Sequence, residues 1–216
     1  MSIFKMTKYG WLINSLIFIC ISLSPFYGKA ENSKAVDVIK TFNTTLLESM
    51  KRADELGFSG RYKLLEPIIK NSFSLCFMAK ISVGRYWKTL HETRRKLLLD
   101  TYTTWSVATY ARRFDEYSGE KFEVLSETKS AHNTVTVIST LRKSNEETID
   151  FYYKLREIKG KWRIVDIQIS GISQLANTRA QFVSVIKDKG FDDLISRLQN
   201  KIKFLSEETA PVDNNG

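Results

Sequence analysis

Few residues in this chain have the types and spacing that catalysis or metal binding requires. His91 and His132 are the two histidines, and neither a His-x-x-x-His spacing nor a cysteine cluster accompanies them. The sequence therefore offers few ligands for a zinc ion. Both histidines are interpreted as solvated surface residues. Cys76 lies in an apolar run from Phe73 to Met78, which predicts a buried small side chain and not a thiolate nucleophile.

Motifs for phosphate, dinucleotide or serine-hydrolase chemistry are missing from the sequence as well. The ten glycines are scattered at the predicted ends of elements and form no phosphate loop. Ser170 and Gly171 begin a segment that does not match the Gly-x-Ser-x-Gly nucleophile elbow. We therefore predict no catalytic constellation, no metal and no cofactor.

The first thirty residues have the layout of a cleavable secretory signal peptide. Lys5 and Lys8 precede an apolar stretch from Trp11 to Leu23, and small residues occupy the −3 and −1 positions before Glu31. A transmembrane helix needs roughly 20 apolar residues, and polar residues interrupt this stretch, so a retained anchor is the weaker interpretation. We predict an exported protein with three segments: a signal peptide (1–30), a single domain (31–206) and a flexible tail (207–216).

The chain is basic, with 33 Lys and Arg residues against 24 Asp and Glu residues. Basic pairs such as Arg94-Arg95 and Arg112-Arg113 occur in different elements and are interleaved with acids, which is typical of solvated faces. We do not expect an exported protein to bind nucleic acid. A basic surface instead favours anionic lipid head groups or an acidic partner.

Apolar residues spaced three or four apart predict helices at both ends of the chain. The first helix runs from Ser33 to Met50, Gly57 and Gly60 break the pattern, and short helices follow around Pro67 and up to Gly84. The positions that form the apolar face of the first helix are Val36, Ile39, Phe42, Leu46 and Met50.

The longest predicted element is an aromatic helix. It begins at a capping box formed by Thr89 and Glu92 and ends before Gly119. Two further helices follow the strands and precede the predicted tail. The first of them is capped by Ser173 and runs towards Gly190.

Between Gly119 and Gly171 the apolar period falls to two, which predicts strands. In the third of four strands Phe151 and Tyr153 share one face, and Asp150 lies on the other. Short connections between the strands imply an antiparallel meander. The order of elements predicts an α+β fold, in which about six helices wrap a four-stranded antiparallel sheet.

The stretch from Gly160 to Phe182 resembles the signature of the MlaC family, also called the toluene-tolerance or ABC-transporter auxiliary family. Three upstream segments fit the same family, namely residues 84–87, 110–114 and 117–122. The resemblance extends from about Val36 to Leu205.

Further details resemble the HpnM branch of this family, whose members accompany hopanoid biosynthesis genes. These details are residues 106–111, residues 172–176 and the end of the last helix at 201–205. One departure is Ser74, where family members commonly carry an aspartate, and this puts in doubt any role for a carboxylate at that position.

The resemblance implies a cone-shaped fold, NTF2-like in outline, and a monomeric lipid carrier in the periplasm. It implies that the carrier shuttles a phospholipid, or a hopanoid in the HpnM branch, between an inner-membrane ABC transporter complex and an outer-membrane lipoprotein complex. Burying each methylene is worth about 0.8 kcal/mol, so a two-chain lipid needs a dry cleft to cross water.

In such a carrier we expect the lipid chains to contact the inward face of the sheet, the long helix and the helix after the sheet. Each of these positions is also compatible with a closed core. The expected lipid-binding residues are Tyr102, Trp105, Val137, Phe151, Tyr153, Ile169 and Phe182. We expect Trp162 to be a structural plug and Arg179 to form a structural ion pair, with Asp166 as one candidate partner.

An enzyme of similar α+β fold, acting on a bulky apolar substrate, is the alternative hypothesis. It requires a buried carboxylate as base, Asp150 or Asp166, and a tyrosine as proton donor. Strand alternation places Asp150 opposite Phe151 and towards solvent, whereas Asp166 shares the face of Trp162 and Ile164 and could point either way.

Overall fold

The computed structural model describes residues 34–130 and 133–207 of the chain. The predicted signal peptide, His132 and residues 208–216 of the predicted tail lie outside the described residues. The three predicted segments therefore stay predictions.

The described residues form helices before and after a run of strands, which confirms the predicted α+β class. The helices are α1 (Lys34–Lys51), α2 (Ala53–Ser72), α3 (Leu75–Ser82), α4 (Glu92–Arg113), α5 (Gln174–Lys189) and α6 (Phe191–Ser206), with a 3-10 helix at Gly84–Thr89. The strands are β1 (Lys121–Ser130), β2 (Thr134–Arg142), β3 (Thr148–Ile158), β4 (Lys161–Ile169) and β5 (Ile172–Ser173). Within the described ranges, no helix has the length and apolarity to cross a bilayer.

The strands form one antiparallel sheet in sequence order, from β1 to β5, as the predicted meander requires. The sheet has one strand more than the four that were expected, because β5 pairs Ile172 with Ile169 and Ser173 with Gln168. Two residues are too few to display an alternating pattern, so the sequence carries no signal for this strand.

One face of the sheet carries the core, and the other faces solvent. Phe151 and Tyr153 in β3 are 9 % and 1 % exposed, whereas Asp150 and Tyr152 on the opposite face are exposed. This division confirms the faces that alternation predicts for β3. Asp150 accepts a hydrogen bond from the Thr140 hydroxyl at 2.5 Å on that outer face.

A β-bulge at Val165 interrupts the alternation in β4. Ile164 lies opposite Leu155, but Asp166 lies opposite Lys154, so Val165 is an extra residue with no partner in β3. The expectation that Asp166 shares the face of Ile164 is therefore wrong. Asp166 lies on the outer side of the sheet with Lys154.

The apolar face of α1 is buried as its spacing predicts. All five of its predicted positions are at most 7 % exposed: Val36, Ile39, Phe42, Leu46 and Met50. The helix lies against the inner face of the sheet, where the Phe42 ring meets the Tyr153 ring edge-on at a centroid distance of 6.2 Å.

Helix α2 is kinked at Gly57, which confirms the predicted break there, and the part that follows is longer than the short helix predicted around Pro67. Gly57 supplies the kink with φ 54° and ψ −178°, a left-handed φ that glycine adopts without strain. Gly60 and Pro67 both lie inside the helix. The carbonyl that Pro67 leaves without a donor belongs to Lys63, and both residues are exposed, so water can satisfy it.

The predicted capping box at the start of α4 is wrong. Thr89 ends the preceding 3-10 helix, and its hydroxyl donates to the carbonyl oxygen of Tyr86 at 2.8 Å. Helix α4 begins at Glu92 with His91 in the N-cap position, so Glu92 is too early in the helix to complete a box with Thr89. His91 is exposed, as predicted.

Cys76 is exposed, which contradicts the prediction of a buried thiol. Helix α3 buries Leu75, Met78, Ala79 and Ser82, and Cys76 lies on its other face. The apolar run around it continued across both faces of the helix and therefore did not reveal which face is buried.

The start of α5 is fixed by Ser173 and Asp166. The Ser173 hydroxyl oxygen accepts from the backbone N–H of Ala176 at 3.0 Å, which confirms the predicted cap, and the same hydroxyl donates to Asp166 at 2.7 Å. Asp166 also accepts from the backbone N–H of Leu175 at 3.1 Å. These bonds occupy Asp166, and the ion pair expected with Arg179 does not form.

Arg61 joins α2 to α4 through a buried guanidinium. It is 5 % exposed, and it donates to the carbonyl oxygens of Ala111 at 3.0 Å and Ala53 at 2.9 Å. Ala111 lies in the last turn of α4, where carbonyl oxygens lack helical partners and a positive charge is favourable.

Replacing Arg61 by methionine should lower the free energy of unfolding by about 1.5–3 kcal/mol, because it removes charge-assisted hydrogen bonds and leaves buried carbonyls unpaired. Denaturant unfolding of residues 31–216 measures this. The matched control is Arg52→Met, since Arg52 pairs with Glu48 and Glu55 at the surface, where ion pairs contribute little. Equal unfolding midpoints for the two variants would contradict the structural role of Arg61.

Candidate functional site

A cavity of about 590 Å³ lies between the inner face of the sheet and the helices. This volume falls within the range of about 300–1,000 Å³ that is usual for ligand pockets. Its apolar wall comes from several elements: Phe73, Leu75 and Met78 around α3; Tyr102, Trp105 and Tyr110 on α4; and Phe151, Tyr153, Ile167 and Ile169 on β3 and β4.

The charged and amide residues that line the cavity are exposed or half-buried, and they mark its opening to solvent, the mouth of the cavity. They are Arg113 at the end of α4, Asp115, Glu116 and Glu120 between α4 and β1, Lys143 in the β2–β3 connection, and Gln174, Asn177 and Gln181 on α5. Polar atoms therefore face water where the cavity opens.

Charges at the mouth are partly paired. Lys143 binds Glu147 at 2.9 Å, and Asp115 lies 3.6 Å from Arg112. Arg113, which lines the mouth, forms no ion pair with any carboxylate in residues 34–130 and 133–207. Its guanidinium is available to an anionic group of a ligand.

Helix α4 supplies one continuous wall of the cavity because its lining residues follow helical spacing. They occur at intervals of three or four residues, so they lie on one face of the helix. These residues are Tyr102, Trp105, Ser106, Thr109, Tyr110 and Arg113.

A buried polar network lies beneath the cavity wall. Asn43 donates to the Ser139 hydroxyl at 2.8 Å and accepts from the Tyr153 hydroxyl at 3.3 Å. All three residues are at most 3 % exposed. The network satisfies the Tyr153 hydroxyl and joins α1 to β2 and β3.

Three tyrosines of the wall are held in their neutral form. Burial raises the pKa of Tyr102, Tyr110 and Tyr153, and the neighbouring Tyr110 adds to the rise at the other two residues. The cavity is therefore lined by uncharged phenols throughout the neutral pH range.

The structure places five of the seven expected lining residues on the cavity: Tyr102, Trp105, Phe151, Tyr153 and Ile169. Val137 is fully buried opposite Tyr153 in the closed core and does not line the cavity. Phe182 does not line it either, because its ring packs behind Trp105 at 5.7 Å and Tyr102 at 6.3 Å.

Neither carboxylate of the enzyme hypothesis lines the cavity. Asp150 is exposed on the outer face of the sheet, and Asp166 is bonded to the start of α5. Arg179 also lies away from the cavity, close to Gly84, where an added Cβ would come within 3.4 Å of its guanidinium. Among the described residues, no group of three His, Cys, Asp or Glu side chains is arranged to hold a metal.

Sequence reasoning missed several lining residues. Thr109 and Tyr110 continue the helical spacing of Tyr102 and Trp105, and this signal was sufficient to find them. Ile167 lies two residues before Ile169 and faces the same side of β4, so strand alternation was sufficient to find it as well. The mouth residues Asp115, Glu116, Glu120 and Lys143 come from connections between elements, whose positions no periodic pattern encodes.

The buried tyrosines predict a late step in alkaline titration. Their pKa is raised in the folded state, so the unfolded chain releases these protons first, near the ordinary pKa of about 10. The free energy of unfolding should therefore fall as the pH rises above about 10, and their phenolate absorbance should appear together with unfolding.

Tyr110→Phe should reduce the amplitude of this late absorbance step. The protein unfolded in guanidinium is the reference, because all of its tyrosines should titrate together near the ordinary pKa. A late step of unchanged amplitude in the variant would contradict the burial of the Tyr110 hydroxyl.

Comparison with known proteins assigns the chain to a family. The model of the MlaC protein family matches residues 40–200. The intermembrane phospholipid transport system binding protein MlaC of Haemophilus influenzae is 24 % identical over 143 residues, which cover 62 % of this chain and 67 % of that protein. The structure of a phospholipid-binding protein from Ralstonia solanacearum, solved in complex with a phospholipid, has the same fold, with a TM-score of 0.71 and 20 % identity over 81 % of this chain and 100 % of that one. This chain belongs to the MlaC family.

Proposed function

We propose that this protein is a periplasmic lipid carrier that shuttles a phospholipid or a hopanoid-type lipid between membrane complexes of an ABC-transport pathway. The observation that carries the proposal is the apolar cavity between sheet and helices, whose charged and amide lining residues are exposed or half-buried where it opens to solvent. An amphipathic ligand with long apolar chains and a polar head matches this distribution.

The apolar wall supplies the free energy of binding. Each methylene moved from water into such a site contributes about 0.8 kcal/mol, so a chain of ten methylenes gains several kcal/mol even after ordering costs. Aromatic rings contribute much of this wall, since Tyr102 and Trp105 contact each other at a centroid distance of 5.5 Å and Phe151 stacks on Tyr153 at 5.9 Å.

The mouth suits a head group that stays partly in water. Arg113 there has a planar guanidinium, which binds phosphate oxygens through paired hydrogen bonds. A phosphate beside Arg113 would place the glycerol backbone at the entrance and the chains in the apolar interior.

The relatives support the same function. The Haemophilus influenzae protein is named as a phospholipid transport binding protein, and the Ralstonia solanacearum protein holds a phospholipid. The predicted signal peptide supports export, and the resemblance to the HpnM branch supports a hopanoid as an alternative ligand; both predictions rest on sequence patterns alone. Inner-membrane and outer-membrane partner complexes are proposed on the family resemblance.

Protein purified from the periplasm should carry lipid that organic solvent extracts, and mass spectrometry of the extract separates phospholipid from hopanoid. Empty protein that also takes up no lipid from vesicles would overturn the proposal. Either lipid class supports the carrier, and the identity of the lipid decides between the two ligands.

Ser106→Trp should reduce uptake of labelled phospholipid from vesicles by about tenfold or more. Ser106 lines the cavity and is half-buried. An indole in this place displaces two or three methylenes, each worth about 0.8 kcal/mol, and a tenfold change corresponds to about 1.4 kcal/mol.

The control for this variant is Ala180→Trp, an exposed position on α5 that does not line the cavity. Circular dichroism of both variants establishes that they fold. Equal uptake by folded Ser106→Trp, Ala180→Trp and the unchanged protein would contradict a ligand site in this cavity.

A further inference from the structure

The side-chain hydroxyl groups of the cavity-lining residues differ in whether they already form hydrogen bonds within the protein. Ser106 donates to the carbonyl oxygen of Tyr102 at 2.7 Å, and Thr109 donates to that of Trp105 at 2.8 Å. On α5, Thr178 donates within its own helix at 2.8 Å. The Tyr153 hydroxyl donates to Asn43 beneath the wall.

Tyr102 and Tyr110 are the exceptions. Neither hydroxyl forms a hydrogen bond with any other residue in the described part of the chain, although Tyr102 is only 3 % exposed. Among the described residues, no fully enclosed side-chain polar atom lacks a partner, so both hydroxyl oxygens keep some accessible surface. Both tyrosines line the cavity, which is where a ligand can approach this surface.

The hydroxyls of Tyr102 and Tyr110 are hydrogen-bond donors that have no acceptor within the described residues. Burial raises the pKa of both groups and keeps them protonated. A plain hydrocarbon chain in the cavity offers no acceptor and would displace any water that satisfies them, which makes such a ligand less favourable. A carbonyl oxygen offers an acceptor and no competing donor.

We propose that the Tyr102 and Tyr110 hydroxyls form a polar subsite inside the cavity that binds the ester carbonyl oxygens of an acyl lipid. The inference rests on the proposed carrier function and narrows its ligand class. The subsite selects lipids whose chains are joined through esters over lipids of the same head group and chain length joined through ethers.

The position of Tyr110 along α4 agrees with this assignment. It precedes Arg113 by three residues on the cavity face, which is about 4.5 Å along the helix axis. In a glycerophospholipid the ester carbonyls are separated from the phosphate by only a few bonds. A phosphate at Arg113 therefore brings an ester to the level of Tyr110, and Tyr102, eight residues earlier on α4, supplies a second donor.

The test is competitive uptake by the full mature protein from vesicles that contain equal amounts of diester and diether phosphatidylethanolamine with matched chains. Mass spectrometry of the bound lipid gives the ratio. We expect the unchanged protein to favour the diester lipid by about tenfold, the ratio that one net hydrogen bond of about 1.4 kcal/mol produces. Tyr110→Phe should lower the ratio, and the double variant with Tyr102→Phe should bring it close to one.

Two control variants separate the subsite from folding effects. Ser139→Ala removes a buried hydroxyl that accepts from Asn43 and does not line the cavity, so it should lower stability and leave the ratio unchanged. Tyr152→Phe, on the exposed face of the sheet, should change neither.

The outcomes distinguish the subsite from the carrier function itself. Uptake of both lipids at equal ratio by the unchanged protein overturns the subsite and leaves the carrier intact. A ratio that persists in the folded double variant also overturns it. Uptake of neither lipid overturns the proposed function.

Discussion

The aromatic contact around Phe42 is the constraint on which the cavity depends. This ring on α1 is fully buried, and it meets Phe73 at 5.2 Å, Tyr110 at 5.4 Å and Tyr153 at 6.2 Å, all in edge-on geometry. It therefore joins α1, the segment before α3, α4 and the sheet. Packed rings do not compress, so this contact fixes how closely α4 approaches the sheet and leaves open the space beyond it.

The parts of the fold that periodicity encodes could be predicted from the sequence. The buried stripe of α1 and the inner face of β3, with Phe151 and Tyr153, follow directly from spacings of 3.6 and 2. Local exceptions to a period could not be predicted. The bulge at Val165 moved Asp166 to the outer face, and Thr89 closed a 3-10 turn in place of a capping box.

The candidate site was predictable where one element supplies a whole face and not where several elements meet. Tyr102 and Trp105 were expected correctly on the cavity wall, and the same helical spacing extends to Tyr110. Val137 shares the inward face of the sheet with Tyr153, yet it lies in the closed core. The inward direction of a side chain does not show whether it lines a cavity or packs in a filled core, since this difference depends on how helices distant in sequence pack against the sheet.

The buried network of Asn43, Ser139 and Tyr153 has a consequence for the topology of folding. Every strand of the meander pairs with its sequence neighbour, so the sheet closes only short loops. Asn43, in contrast, bonds to Ser139 across 96 residues and to Tyr153 across 110. Helix α1 also contacts β4, so its docking closes loops of more than a hundred residues, and loop-closure entropy grows only slowly with length. The docking of α1 on the sheet therefore adds little entropic cost beyond that of a much shorter loop, while the buried network fixes where the helix docks.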